Sequence, residues 1–314
     1  MNKKYILLLL TFVIIFSSCE SGNSEGSTST TNTGEKYRTG TQGLLISFVP
    51  GVPPAKVFSD SEIGAIFEIK NKGSTDIDGA KLYLTGYDKK YLFGTSEQEQ
   101  EFALGGKSPY NPNGELIELI DFNTKVQRLP DGIDKFTQTF KGSLCYPYET
   151  LASPSICINP DIHSAQATES VCTVKPITLS GGQGAPISID KVEYDSIGSQ
   201  LVLKIYISNH GKGIPYIKPI EDCHKSLRYN EVGLINIESV SFSDYDLTSN
   251  CKPNPVRLVN NKGFVVCTIE SNDNFGSSSY VTPLNIKLSY NYRESIKKSF
   301  EIIQIWKRKI YIYS

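Results

Sequence analysis

Two short stretches, Phe67-Glu-Ile-Lys-Asn-Lys-Gly73 and Ile205-Tyr-Ile-Ser-Asn-His-Gly211, alternate apolar and polar residues and then run into Asn-x-Gly. Alternation with a period of two is typical of a β-strand that has one buried face. Asn and Gly are common turn residues, and Gly accepts the positive φ that a tight turn requires. Each stretch is therefore predicted to be a strand that ends in a tight turn.

Similar runs, bounded by Gly, Pro, Asn or Asp, recur along the chain and predict an all-β fold, either a sandwich or a barrel. Beyond the amino-terminal segment, no stretch sustains a helical apolar period for three turns. The further predicted strands are Leu44–Phe48, Lys81–Thr85, Glu115–Phe122, Phe136–Tyr148, Leu234–Phe242, Phe264–Glu270, Leu284–Tyr292 and Ser299–Trp306.

An internal repeat divides the strand-rich part of the chain. Leu144-Cys-Tyr-Pro-Tyr148 matches Leu288-Ser-Tyr-Asn-Tyr292, and, with no gap, Ser155–Ile158 falls on Ser299–Ile302. The repeat predicts two related β-sandwiches, at residues 42–170 and 171–314. The two tyrosines in each copy share strand parity, which favours core packing, with a sugar-stacking face as the alternative.

The amino terminus has the features of an export signal. Lys3-Lys4 precedes the apolar run Ile6–Phe16, which is too short to span a bilayer as a helix. Ser17-Ser18-Cys19 follows, and a cysteine after small residues resembles a lipoprotein signal. Residues 1–19 are therefore interpreted as a signal peptide or membrane anchor, and Cys19 as the lipidation candidate. The alternative is an ordinary or uncleaved signal with an incidental cysteine.

Residues 20–41 contain no aliphatic side chain and are dominated by Ser, Thr, Gly, Asn and Glu. Such a composition cannot bury enough surface to fold, so the segment is predicted to be a disordered linker. As a flexible coil it would span roughly 25 Å on average. It is interpreted as a tether that holds the folded part away from a membrane.

The charge balance argues against nucleic acid as a partner. The 314-residue chain has 32 Lys and Arg residues against 33 Asp and Glu residues. Phosphate binding needs clustered, uncompensated Lys and Arg, which a balanced chain supplies less readily. No catalytic or metal-binding motif accompanies the three histidines, so neither a cofactor nor a metal is expected.

The seven cysteines divide into Cys19 and six others. An even number in an exported protein favours disulfides. In the second copy of the repeat Ser289 and Glu301 replace Cys145 and Cys157, and the joint loss predicts that these two cysteines pair across a hairpin that turns near Leu151. Sequence proximity favours two further pairs, with the remaining pairings open. The predicted bridges are Cys145–Cys157, Cys172–Cys223 and Cys251–Cys267.

The strand followed by Asn-x-Gly, preceded by Pro50-Gly-Val-Pro-Pro54 and Glu62, resembles the immunoglobulin-like, CARDB-like adhesion modules of archaeal cell-surface proteins. Gly182-Gln-Gly-Ala-Pro186, which opens the second copy, is similar to secreted archaeal proteins with this two-module layout. The resemblance implies an extracellular protein of two tandem immunoglobulin-like sandwiches. It assigns no catalytic residue.

These observations predict a membrane-tethered extracellular binding, adhesion or surface-assembly protein that is not an enzyme. Its expected partners are the membrane and surface proteins or glycans. A carbohydrate- or solute-binding surface lipoprotein is the alternative, and a secreted hydrolase is the third candidate. Residues Trp306–Tyr313 alternate like another strand. The default interpretation is a frayed strand, and the sharper hypothesis is self-assembly through an edge of a second molecule.

We expect the mature chain to begin at Cys19 and to carry lipid on its thiol, because the signal is followed directly by a small-residue boundary. Mass spectrometry of the mature amino terminus measures both the cleavage point and the added mass. An unmodified Cys19, or a terminus elsewhere, would contradict the lipoprotein interpretation.

Overall fold

The computed structural model describes residues 37–93, 98–114, 116–159, 170–197, 200–270 and 278–306. Cys19, the signal segment 1–19 and most of the predicted linker lie outside the described residues, as do residues 307–314 of the carboxyl-terminal segment. Within these ranges there is no α-helix, so the all-β prediction is confirmed. No helix in the described part has the length and apolar character needed to cross a membrane.

Nineteen strands and three short 3₁₀ turns make up the described chain. The strands are β1 Leu44–Phe48, β2 Lys56–Phe58, β3 Glu62–Asn71, β4 Ile77–Thr85, β5 Leu92–Phe93, β6 Glu99–Leu104, β7 Leu116–Val126, β8 Lys135–Ala152, β9 Ser155–Ile158, β10 Ile177–Thr178, β11 Ile187–Ile197, β12 Gln200–Asn209, β13 Ile214–Tyr216, β14 Leu234–Phe242, β15 Tyr245–Asp246, β16 Cys251–Lys252, β17 Val256–Arg257, β18 Lys262–Glu270 and β19 Tyr280–Ile303. The 3₁₀ turns are Ile220–Asp222, Tyr229–Glu231 and Thr248–Asn250.

The strands form three main sheets. The amino-terminal sheet has the order β1-β3-β7-β5, and the carboxyl-terminal sheet has the order β10-β11-β12-β18-β16. The third, here called the shared sheet, follows the path β15-β14-β19-β8-β4-β6, and β2, β9 and β13 also pair with β19. The shared sheet takes strands from both halves of the chain, which makes the fold sandwich-like.

The repeat seen in the sequence has a structural counterpart in the two smaller sheets. Apart from β10, their strand orders correspond, with β11, β12, β18 and β16 in place of β1, β3, β7 and β5. The register corresponds too, since Leu44 lies opposite Asn71 and Ile187 lies opposite Asn209. The immunoglobulin-like type of the two halves and their boundary at residues 170 and 171 remain predictions.

The shared sheet is organised around the antiparallel pair of β8 and β19. Their ladder runs from Ala152 opposite Ile286 to Lys135 opposite Ile303. Two strands predicted separately, Leu284–Tyr292 and the first five residues of Ser299–Trp306, therefore belong to one 24-residue strand with no break between them, and residues 304–306 lie beyond its end. One end of the β8–β19 pair lies in each half of the molecule.

The smaller sheets pack against the inner face of the shared sheet. In the amino-terminal half, Phe67 of β3 lies so close to Gly142 of β8 that a Cβ on the glycine would overlap its ring. Phe140 and Phe300 contact each other across β8 and β19, with ring centroids 4.8 Å apart. All three phenylalanines are buried, and each such side chain contributes about 1.5–3 kcal/mol of hydrophobic stabilisation.

Four tyrosines fill the centre of the inner face, where the repeated Tyr-x-Tyr segments pair. Tyr146 lies opposite Tyr292 and Tyr148 lies opposite Tyr290, and all four are at most 4% exposed. The core interpretation of these tyrosines is therefore confirmed. The Tyr148 hydroxyl donates to the Gly184 carbonyl at 2.6 Å, and burial raises its pKa to about 12. The hydroxyls of this cluster thus bond neutral groups of the smaller sheets.

Both Asn-x-Gly turns have the same side-chain arrangement. Asn71 accepts a hydrogen bond from the Gly73 N–H at 3.0 Å, and Asn209 accepts one from the Gly211 N–H at 3.1 Å. The prediction that these two glycines have a positive φ is wrong, because neither is among the residues with positive φ. Glycine is needed for close approach instead: a Cβ at Gly73 would overlap the Tyr148 hydroxyl, and one at Gly211 would overlap that of Tyr292.

The disulfide predictions are partly wrong. Cys251 pairs with Cys267, as predicted, across neighbouring strands with the Cα atoms 3.9 Å apart. The predicted Cys145–Cys157 and Cys172–Cys223 bridges do not form. The structure has instead Cys145–Cys223 and Cys157–Cys172, with Cα separations of 6.3 and 5.8 Å. Three disulfides indicate an oxidising environment, as in secreted or extracellular proteins.

The error lies in the predicted hairpin at Leu151. Leu151 is still within β8, opposite Lys287, and the chain after it pairs with β19 rather than folding back onto β8. Cys145 is opposite Arg293 and Cys157 is opposite Val281, twelve positions apart along one strand. At about 3.4 Å per residue the two cysteines are about 40 Å apart.

We expect Gly73→Ala to lower the free energy of unfolding by about 1–3 kcal/mol, because the added methyl group overpacks the site. Tyr148→Phe removes the hydroxyl that the new Cβ meets first, so Gly73→Ala should cost less in that background. Urea unfolding of the wild type, both single variants and the double variant measures this coupling. If Gly73→Ala lowered the free energy of unfolding equally in the two backgrounds, the Tyr148 hydroxyl would not be the group that requires glycine at this position.

Candidate functional site

An open groove of about 460 Å³ lies on the outer face of the shared sheet, at the junction of the two halves. Its floor comes from β8 and β19, where outward-facing positions alternate with Tyr148 and Tyr290 of the tyrosine cluster. One wall is the start of β4 and the segment before it, and the other is β14 with Ile217. The lining residues are Thr75, Asp76, Asp78, Pro147, Tyr148, Glu149, Ile217, Asn236, Ser289, Tyr290 and Asn291.

Hydrogen bonds hold much of the groove in place. Thr75 donates from its hydroxyl to the Glu149 carbonyl at 3.1 Å, and the Glu149 carboxylate pairs with Lys287 Nζ at 2.9 Å. The hydrogen bond from Lys287 to the Glu149 carboxylate raises the pKa of Lys287 above its ordinary value. Asn291 donates to the Lys218 carbonyl at 2.7 Å, which ties β19 to the segment over it. The floor is therefore preorganised rather than assembled by a ligand.

Two polar side chains of the walls are uncommitted within the described structure. Asp78, on the amino-terminal side, and Asn236, on the carboxyl-terminal side, are exposed and form no side-chain hydrogen bond or ion pair there. A carboxylate accepts hydrogen bonds, and an amide both donates and accepts them. Together with the apolar surfaces of Pro147 and Ile217, they suit a ligand that carries several hydroxyl groups and some C–H surface.

A strap, defined as residues 217–227, crosses the outer face of the shared sheet beside the groove. The Cys145–Cys223 disulfide attaches it to β8. Arg293 of β19 donates from Nη1 to the carbonyls of Cys223 and Lys225, at 2.8 and 3.1 Å. Tyr83 of β4 stacks on His224 with ring centroids 4.6 Å apart. The strap is thus tied to three neighbouring strands of the shared sheet.

A smaller cavity, of about 70 Å³, lies on the inner side of the junction, where Glu294 is only 8% exposed. This carboxyl group makes no hydrogen bond or ion pair with a described residue, and burial raises its pKa. The nearby Lys212 opposes this shift. A carboxylate in such a place carries a desolvation penalty that the protonated form avoids.

None of the cysteines predicted as site residues is among the described residues that line the groove. The Cys145, Cys157, Cys172, Cys223, Cys251 and Cys267 thiols are consumed in structural bridges. No group of three His, Cys, Asp or Glu side chains with metal-binding proximity occurs in the described ranges. The Cys19 lipidation candidate lies outside them, as does most of the proposed carboxyl-terminal assembly segment. Trp306 is described, and its indole N–H donates to Asp134 at 3.1 Å.

Sequence reasoning missed the groove residues altogether. Asp78, Asn236 and Asn291 belong to three strands far apart along the chain, and no motif connects them. The available signal was the strand parity of β8 and β19. Because tyrosines occupy the even positions of these segments, the odd positions Pro147 and Glu149 must face outward.

Comparisons with known proteins leave the family open. A search with protein-family models finds no match, and a comparison with curated proteins finds none either. Among solved structures, the secreted serine protease VesC from Vibrio cholerae aligns at 10% identity and a TM-score of 0.19, over 79% of this chain and 50% of VesC. A DUF4466 family protein from Parabacteroides merdae aligns at 12% identity and a TM-score of 0.16, over 82% of this chain and 100% of that one.

These likenesses are too distant to carry an argument. The chain spans about half the length of VesC, and both TM-scores are far below the level of a shared fold.

We expect Glu294→Gln to raise the melting temperature at pH 7, because burial penalises the ionised form of the Glu294 carboxyl group and the amide carries no charge. A carboxyl with a raised folded pKa contributes its stability at low pH and loses it as the pH rises through that pKa. The difference between variant and wild type should therefore vanish below about pH 4, where the carboxyl is protonated in both states. Thermal unfolding from pH 3 to pH 8 tests this. Glu62→Gln, at an exposed site, is the control. A gain in melting temperature that does not depend on pH would show that the ionisation of Glu294 is not its cause.

Proposed function

We propose that this chain is a membrane-tethered extracellular binding or adhesion protein without catalytic activity, formed by two tandem immunoglobulin-like sandwiches. The groove at their junction is its recognition surface. The amino-terminal signal and lipidation at Cys19 provide the tether, and the linker holds the groove away from the membrane. Surface glycans are the proposed ligands.

The observation that carries this proposal is the composition of the groove. Its volume falls within the range of about 300–1,000 Å³ that is usual for small-ligand sites. Both halves contribute polar groups to it, and hydrogen bonds hold its floor. Asp78 and Asn236 offer uncommitted acceptors and donors, which suits sugar hydroxyls better than an apolar ligand.

The size of the groove also favours the second candidate, a carbohydrate- or solute-binding surface lipoprotein. A protein that delivers a small ligand should bind free mono- or disaccharides, whereas an adhesion protein should require a longer glycan on a surface. Competition between free sugars and immobilised glycans distinguishes the two functions.

The test is a glycan array, followed by calorimetric titration of the positive glycans. We expect saturable binding that the double variant Asp78→Ala, Asn236→Ala weakens by about tenfold or more, because a hydrogen bond to a charged group contributes about 1.5–3 kcal/mol. The melting temperature should not change, since both side chains are exposed and uncommitted.

Asp131→Ala with Asn113→Ala makes the same two changes at exposed positions that do not line the groove, and it should bind as the wild type does. Absence of binding to every glycan, or equal loss in both double variants, would refute the proposal.

A further inference from the structure

A row of basic and hydroxyl side chains occupies the outer face of β8 and β19 on the other side of the strap from the groove. Lys141 lies directly opposite Lys297, and Ser143 lies directly opposite Ser295. Arg293 lies two positions before Ser295 on β19, at the end of the row that is nearer the strap. We call these five residues the basic row, and Thr139 opposite Ser299 continues it at the far end.

The positive charges of the row are not neutralised by the described protein. Lys141 and Lys297 form no ion pair there, although like charges directly opposite each other on adjacent strands are destabilising. Burial lowers the pKa of Lys141, and the charges of Arg293 and Lys297 lower it further. A chain with nearly balanced charge thus keeps Lys141 and Lys297 side by side, with Arg293 close by, although neither lysine has an ion-pair partner in the described structure.

The row is also rigid. Arg293 is fixed by its two hydrogen bonds to strap carbonyls, which use only Nη1 of the guanidinium. The Ser143 and Ser295 hydroxyls bond each other at 3.1 Å, and those of Thr139 and Ser299 do so at 2.9 Å. Arg293 and Lys297 are four residues apart on one strand, or about 13 Å. The backbone positions of cations and hydroxyls therefore alternate at regular intervals along β19.

We propose that the basic row binds an acidic polysaccharide, with carboxylate or sulfate groups at the cations and sugar hydroxyls at the exposed Ser295, which the buried Ser143 holds in place. A linear array of spaced cations matches a polymer whose acidic groups repeat along its length. The row contains no aromatic ring for base stacking and no apolar anchor of the kind that dominates protein interfaces. This surface is separate from the groove and extends the proposed function to a second ligand class.

The experiment measures binding of the purified chain to immobilised dextran sulfate, polygalacturonate and neutral dextran. We expect binding to one or both acidic polymers and none to neutral dextran. Three cation–anion contacts should make the affinity roughly 20- to 40-fold weaker at 200 mM salt than at 50 mM salt. The double variant Lys141→Gln, Lys297→Gln should bind about tenfold more weakly, which is about 1.4 kcal/mol.

The same double variant should melt at or above the wild-type temperature, because it removes a repulsive pair. If it does not fold, Lys297→Gln alone, at an exposed position, provides the measurement. Lys252→Gln with Lys262→Gln removes two exposed cations elsewhere and should retain wild-type affinity.

The groove variant Asp78→Ala, Asn236→Ala should also retain affinity for the acidic polymers, which separates this proposal from the previous one. Equal losses in the row variant and its control would overturn the proposal, as would binding to neutral dextran. Tighter binding to polyglutamate or to phosphatidylglycerol vesicles, lost in the row variant, would assign the row to an acidic protein or a membrane instead.

Discussion

The antiparallel pairing of β8 and β19 is the constraint on which the rest of the molecule depends. Its ladder covers the whole of β8, and each end lies against a different half of the chain. The hydroxyls of its central tyrosines reach both smaller sheets, at the Leu44 carbonyl of β1 and at Asn209 of β12. Loss of this pairing would separate the inner faces of both halves at once, so neither half is independent of it.

The same pairing decides which side chains lie on the outer face of the shared sheet. Tyrosines at the even positions place Pro147 and Asn291 in the groove floor, and Lys141 and Lys297 in the basic row. The strap divides the two surfaces, and the Cys145–Cys223 disulfide holds it there. That bridge closes a loop of 78 residues, which corresponds to about 4 kcal/mol in the chain-entropy model. The disulfide, together with the contacts of Arg293 and Tyr83, therefore holds the border between two chemically different surfaces.

The local residue pattern was sufficient to predict strands, but it was insufficient to predict which strands pair with each other. The strands Leu44–Phe48 and Leu234–Phe242 were predicted with the bounds they have, because alternation is a local property of the chain. The break predicted between Tyr292 and Ser299 was wrong, since the intervening residues keep the strand parity although all but Ile296 are polar. The Cys145–Cys157 bridge failed for a related reason: a supposed turn at Leu151 is continuous strand.

By itself, the sequence determined an all-β chain with two related copies of a strand-and-turn unit, and it contains six cysteines beyond Cys19. These follow from residue spacing and composition, which need no knowledge of distant contacts. Only the tertiary structure decided that the two copies share one sheet, that Gly73 is required by a tyrosine hydroxyl rather than by φ, and that Asp78 and Asn236 face the same groove. Each of these depends on which strand lies beside which, and strand pairing joins residues more than one hundred positions apart.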